Sequence, residues 1–294
     1  MTDGVQPDPA FIGGVPKPPL AFLPQPVALF QARARRFAFL AETSELAPYL
    51  SFLAELSRTQ DFTLAPAHAA EAARNAMPPI DRTTLAADAD LAATLRASLD
   101  AAAELAMPEP AQQALNAVGA AGEGERRLLL GNVLGDRIPV DETAPHLFAA
   151  AAVQVHLARL AATLDAQALV PVHVGLCPAC GGRPVSSLVM GRQGVENVRY
   201  AVCAGCATQW NEVRVKCLCC GSTKGISYRS VQTAEATVKA ETCSECGGWV
   251  KIFYQATNPS LDPVADDVGT LGLDMLMQET DFRRGGFNPY LVGY

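Results

Sequence analysis

Cys177-Pro-Ala-Cys180, Cys203-Ala-Gly-Cys206, Cys217-Leu-Cys-Cys220 and Cys243-Ser-Glu-Cys246 hold eight of the nine cysteines of this 294-residue chain. The second four repeat the first at a constant offset of 40 residues, with 22 residues between the two pairs of each quartet. A Cys-x-x-Cys pair lets two thiolates of one tight turn reach a single ion, and two such knuckles complete the tetrahedron that zinc or rubredoxin-type iron prefers. The spacing therefore predicts two tetrathiolate metal sites in tandem. Closed four-cysteine sites ordinarily serve folding, and chemistry at one would require a ligand to leave.

Working outward, each quartet reads as a small ribbon. Ser187–Met190 and Val198–Val202 form a hairpin around Gly191 and Gly194, and Ile226–Val231 and Val238–Glu241 form its counterpart around Gln232–Ala236. Trp210–Val215 and Val250–Tyr254 supply a third strand to each. Gly181, Gly221 and Gly247 follow the second cysteine of a pair, where a knuckle must turn its N–H groups toward sulfur. His173 lies four residues before Cys177, but four thiolates already saturate the ion. Cys219 is the odd thiol. Ala179 stands at its equivalent in the first quartet, so ligation does not require it, and a tolerated small residue is a simpler reading than a redox role.

Residues 26–165 are alanine-rich and helical in pattern. Leu46, Tyr49, Leu50 and Leu53 recur at helical spacing behind Ser44 as N-cap; Leu91, Leu95 and Leu99 mark a second stripe, and Leu147, Phe148, Ala151, Val155 and Leu160 a third. Pro78-Pro79, Pro108 with Pro110, and Gly119–Gly124 break the pattern, which predicts five to seven helices. Gln154, His156 and Arg159 exclude a membrane span in the third segment. His68, His146 and His156 are isolated and read as surface or satisfied core histidines, and no catalytic constellation is present. Arg35-Arg36 faintly echoes a twin-arginine signal but reads as the polar side of a helix. Met1–Pro19, rich in Pro and Gly, lacks the basic start and apolar core of a signal peptide.

The expected fold is thus α+β: a flexible segment 1–25, an all-α helical domain 26–170, two tandem rubredoxin-like or zinc-ribbon β subdomains at 171–215 and 216–258, and a C-terminal helix and tail over 259–294. In that last segment Val264, Val268, Leu271, Leu273 and Met275 alternate with Asp266, Asp267 and Asp274, read as a packing helix with a solvated acidic face. The tail Arg283–Tyr290 is expected to fold back onto the ribbons.

Paired cysteines at metal-ligand spacing in a long, otherwise cysteine-free chain point to reduced thiolates and a reducing compartment, the cytoplasm by default. The net charge of -7 divides as -7 over 1–176, +4 over 177–260 and -4 over 261–294. Four thiolates around a divalent ion leave a charge of -2, so two filled sites cancel the positive surplus of the ribbons. That argues against a nucleic-acid partner, which favours a basic face.

Val198-Arg-Tyr-Ala-Val-Cys-Ala-Gly-Cys-Ala-Thr-Gln-Trp-Asn-Glu-Val-Arg-Val-Lys-Cys217, Val238-Lys-Ala-Glu-Thr-Cys243, Lys251-Ile-Phe-Tyr-Gln255, Val264-Ala-Asp-Asp267 and Asn288-Pro-Tyr-Leu291 together resemble the formate dehydrogenase accessory (formation) protein family, FdhE. The resemblance is dense over the last ~120 residues and one of style in the helical half. Trp249 and Gln209 depart from it, where a tyrosine and an acid are expected; neither is a ligand. The resemblance implies a non-enzymatic, cytoplasmic maturation factor that engages the catalytic subunit of a respiratory, molybdenum-cofactor formate dehydrogenase before twin-arginine export. It also implies rubredoxin-like iron at Cys177, Cys180, Cys203, Cys206, Cys217, Cys220, Cys243 and Cys246. Spacing alone accepts zinc equally. Two other classes stay open from the residues: a one-electron carrier, and a zinc-ribbon module that binds protein or nucleic acid.

Overall fold

A computed structural model describes residues 18–60, 76–191, 194, 196–231 and 236–294. Two parts meet in it, a helical array and a single mixed sheet.

The helices are α1 (Pro26–Ala41), α2 (Ala47–Thr59), α3 (Ala89–Ala102), α4 (Glu109–Ala120), α5 (Glu123–Leu134) and α6 (Thr143–Ala162). Pro26, Pro48 and Pro110 occupy first turns, where a missing N–H costs nothing. The Asp88 carboxylate caps α3 by accepting from Asp90 N and Leu91 N at 2.7 and 3.0 Å. Ser44 does not cap α2: its hydroxyl accepts from Leu46 N, and Leu46 stands at the cap position. The helix starts later because Pro48 fits its first turn. Helix α6 is the hub, packed against α1, α3, α4 and α5. Its run Phe148–Ala158 is buried all round, apolar and alanine side chains interrupted only by the buried Gln154 and His156. No helix among the described residues is long and apolar enough to cross a membrane.

The sheet comprises β1 (Ala21–Phe22), β2 (Pro184–Val189), β3 (Arg199–Cys203), β4 (Gln209–Glu212), β5 (Ile226–Arg229), β6 (Val238–Cys243), β7 (Gly248–Tyr254) and β8 (Arg283–Arg284). Its order is β1-β4-β3-β2-β7-β6-β5. Each ribbon is an antiparallel triplet, β2-β3-β4 or β5-β6-β7. A parallel pairing of β2 with β7, Ser187↔Ile252 to Val189↔Tyr254, fuses them. The lower half of the same β7 edge takes β8, Gly248↔Arg283 and Trp249↔Arg284. Of segment 1–25, residues 1–17 lie outside the described residues, while Ala21–Phe22 adds a strand to β4.

The C-terminal acidic stretch differs from expectation in two respects. It is two short helices, α7 (Ala265–Gly269) and α8 (Leu271–Gln278), broken at Thr270. Its aspartates are also buried rather than solvated. Asp266 takes Arg36 of α1 in a two-pronged pair with a closest approach of 2.7 Å. Asp267 and Asp274 share Lys251 of β7 and Arg284 of β8, and all four side chains are at most 10 % exposed. Lys251 Nζ also donates to the carbonyls of Asp267 and Thr270, at 2.7 and 3.3 Å. Two cations thus balance two anions, the condition for burying charge. Burial alone would raise the Asp267 carboxyl; Arg284 and then Lys251 outweigh it and hold it below the usual carboxylate range.

Candidate metal centres

Both quartets close, each with its four sulfurs mutually within 4.8 Å. In the first, Cys177 and Cys206 Sγ are 3.6 Å apart, and Cys180 lies 3.5 Å from both Cys203 and Cys206. In the second, Cys217–Cys246 and Cys220–Cys243 measure 3.7 and 3.8 Å. An ion bonded to four sulfurs at about 2.3 Å needs a tetrahedron edge of about 3.8 Å, so the thiols stand where a tetrathiolate would put them. The donor set therefore fits zinc or iron equally well.

The local chain explains the closeness. At the first knuckle Cys177 N bonds to Gly182 O and Gly181 N to Cys177 O, at 3.0 and 2.8 Å. The knuckle at Cys217 repeats this with Ser222 O and Gly221 N, at 2.8 and 2.9 Å. The residue after the second cysteine has positive φ in all four knuckles: Gly181 (70°), Ala207 (58°), Gly221 (79°) and Gly247 (67°). Three of them are glycine, and Ala207 adopts the left-handed conformation at a cost. Cys219 N and Gly248 N point at Cys217 and Cys246 Sγ, 3.3 and 3.4 Å away, in position to stabilise thiolates.

The surroundings of the two quartets differ. All four cysteines of the first are buried, whereas Cys220 and Cys246 of the second are exposed. The helical part seals the first: Ile80 N donates to Ala179 O (3.0 Å) and Gln154 Nε2 to Ala204 O (2.9 Å). Arg82, buried at 9 %, is clasped by Asp136 at 2.7 and 3.1 Å beside the sulfurs. Burial opposes the Arg82 charge; Asp136, then Cys180 and Cys203, reverse that and hold it firmly protonated. A Cβ on Gly182 would lie 2.1 Å from Arg82 Nη1, so only glycine leaves room for the guanidinium there. Burial pushes the Cys177 thiol well up, while its three sulfur neighbours pull Cys180 well down. The Cys206 thiol donates to Thr208 Oγ1 at 3.1 Å.

A buried ion pair that spacing did not reveal ties the ribbons together. Arg199 of β3 donates to Glu241 of β6 at 2.7 Å, to Lys216 O at 2.8 Å and to Ser187 Oγ at 3.1 Å. An arginine in the otherwise apolar run Val198–Val202 was the available signal. The odd thiol, Cys219, is exposed as a residue, but burial and the neighbouring Cys217 thiol push it up to about 12. None of the described histidines joins a cluster. His173 is exposed, and His146 is held by Asn132 and the Glu142 carbonyl. His156 is buried with neither nitrogen bonded, and burial lowers its pKa. His68 lies outside the described residues.

Family models match along most of the chain: "FdhE, N-terminal" over 18–174, "FdhE, central domain" over 176–214 and "FdhE, C-terminal domain" over 215–291. An FdhE homolog of Rhizobium meliloti is 53 % identical over 301 residues, covering 99 % of this chain and 98 % of the relative. One from Edwardsiella ictaluri is 36 % identical over 283 residues, covering 92 % and 90 %. The crystal structure of the FdhE protein from Pseudomonas aeruginosa superposes with a TM-score of 0.83 at 31 % identity, covering 94 % of this chain and 99 % of that one.

Proposed function

The chain belongs to the FdhE family, and from that premise we propose that it is a formate dehydrogenase accessory protein that acts by binding rather than by turnover. It engages the catalytic subunit of a respiratory, molybdenum-cofactor formate dehydrogenase in the cytoplasm, before twin-arginine export. The eight cysteines of the two quartets hold two ions, iron by the family's example. A bound ion supplies a cross-link between knuckles and, if it is iron, a one-electron couple. The closure of both quartets at tetrathiolate spacing, in a chain of this family, carries the reading. It is also supported by where the ribbons spend their charge: Arg199 and Lys251 are buried in ion pairs, which removes them from any basic face for nucleic acid.

The test is co-purification. Tagged protein should retain the catalytic subunit from cytoplasm, and Cys→Ser changes in either quartet should abolish this together with formate oxidation. A deletion host that still exports active enzyme would refute the assignment. A rubredoxin-like electron carrier is the second reading, favoured by the exposed Cys220 and Cys246. Visible absorbance that bleaches reversibly with dithionite while partner binding is lost would point there.

A further inference from the structure

We propose that the second quartet is a metal-exchange centre, able to take up and give up its ion in the folded protein, while the first is a closed staple. The proposal rests on reading both quartets as metal sites and distinguishes between them. In the first, Cys177, Cys180, Cys203 and Cys206 are at most 2 % exposed. An acceptor reaches those sulfurs only after Ile80 and Gln154 let go of the knuckles and Arg82 leaves its place against Gly182, which is a sub-global opening. In the second, Cys217 and Cys243 are buried but Cys220 and Cys246 face solvent. Those two sulfurs can swing outward one at a time with the strands in place.

A fifth thiol stands at the same corner. Cys219 Sγ and Cys246 Sγ would both meet a Cβ placed on Gly248, at 2.8 and 3.2 Å, so the two sulfurs are neighbours. The exchange partner is a thiol-bearing donor or acceptor of a soft divalent ion. A cysteine that leaves the ion takes up a proton, and the incoming thiol gives one up, so the step balances without an oxidant. Cys219 has no counterpart at the first quartet, where Ala179 stands.

The full chain, loaded with zinc and challenged with a colorimetric zinc chelator, reads this directly. Two ions should leave in two phases, the faster by at least about tenfold, because one needs no opening of packed structure. The double change Cys220→Ser and Cys246→Ser should remove the fast phase and leave one slow ion. Iodoacetamide mapping of the unaltered protein gives the same answer if that variant fails to fold. Label should enter Cys220 and Cys246 while Cys177, Cys180, Cys203 and Cys206 stay protected. Release of both ions in one phase, or early labelling of the first quartet, would overturn the proposal and leave the metal reading intact. Protein that binds no zinc would overturn both.

Discussion

Changing Lys251 to Met keeps the length and apolar body of the side chain but removes the charge that Asp267 and Asp274 share. Lys251 is 1 % exposed and its ammonium serves two carboxylates and two carbonyls. Arg284 remains and neutralises one carboxylate. One buried negative charge is then uncompensated, and removing one partner of a buried pair costs about 3–5 kcal/mol. That is a large part of the 5–15 kcal/mol typical of a whole domain. Urea unfolding of metal-loaded protein, followed by far-UV circular dichroism, should show the loss. Lys216→Met is the control: its pair with Glu212 is partly exposed and should cost less than about 1 kcal/mol. Adding Asp274→Asn to Lys251→Met should restore part of the stability, because it removes the orphaned charge. A Lys251→Met loss no larger than that of Lys216→Met would refute the view that this cluster anchors the C-terminal segment to the sheet.

Three further outcomes are expected. Asp267, whose folded value lies below the unfolded value of about 3.9, stabilises the fold above that pH and loses its contribution as pH falls through the folded value; the stability deficit of Asp267→Asn should therefore be full at pH 7 and shrink below about pH 4, and a deficit that grows on acidification would contradict the ion-pair account. Ala207→Gly relieves the left-handed strain at the second knuckle, Cys203–Cys206, and should stabilise by about 0.5–1 kcal/mol in thermal melts, whereas a destabilised variant would show that the alanine methyl packs more than it strains. Cys219→Ala should keep both ions by elemental analysis, since four other thiols already close the second quartet; loss of one ion would make that thiol a ligand.

Local features were legible in the sequence and long-range pairings were not. The two quartets follow from spacing, because each knuckle is a four-residue unit closed by the left-handed residue that follows it, glycine in three and Ala207 in the other. The hairpins follow from alternation, and β2, β3, β6 and β7 lie close to the expected stretches. The acidic face was misread because Asp266 answers to Arg36, 230 residues away, and Asp267 to Lys251 and Arg284 on two different strands. Periodicity reports which side of a helix a residue occupies, and says nothing of a cation waiting there. Lys251 inside the apolar run Trp249–Phe253 was the clue, as a lone charge in a buried strand requires a partner. The continuous sheet was equally hidden. Spacing defines each ribbon, but the β2–β7 pairing depends on edges that carry no motif.

That pairing joins the first strand of one ribbon to the last strand of the next. A two-fold arrangement would have matched like strands, β2 with β5 or β4 with β7, and closed on itself. The head-to-tail join is heterologous and open, the kind that extends into an array if units are added. Its two free ends are accordingly treated as ends. At β4, where an earlier unit would dock its first strand, the two-residue β1 lies antiparallel and offers no surface of the right polarity for another copy. At β5 the strand stops after four residues, with Arg229 exposed at its end and Lys224 exposed just before it, the short and charged edge that discourages further addition. The duplication is thereby terminated at two.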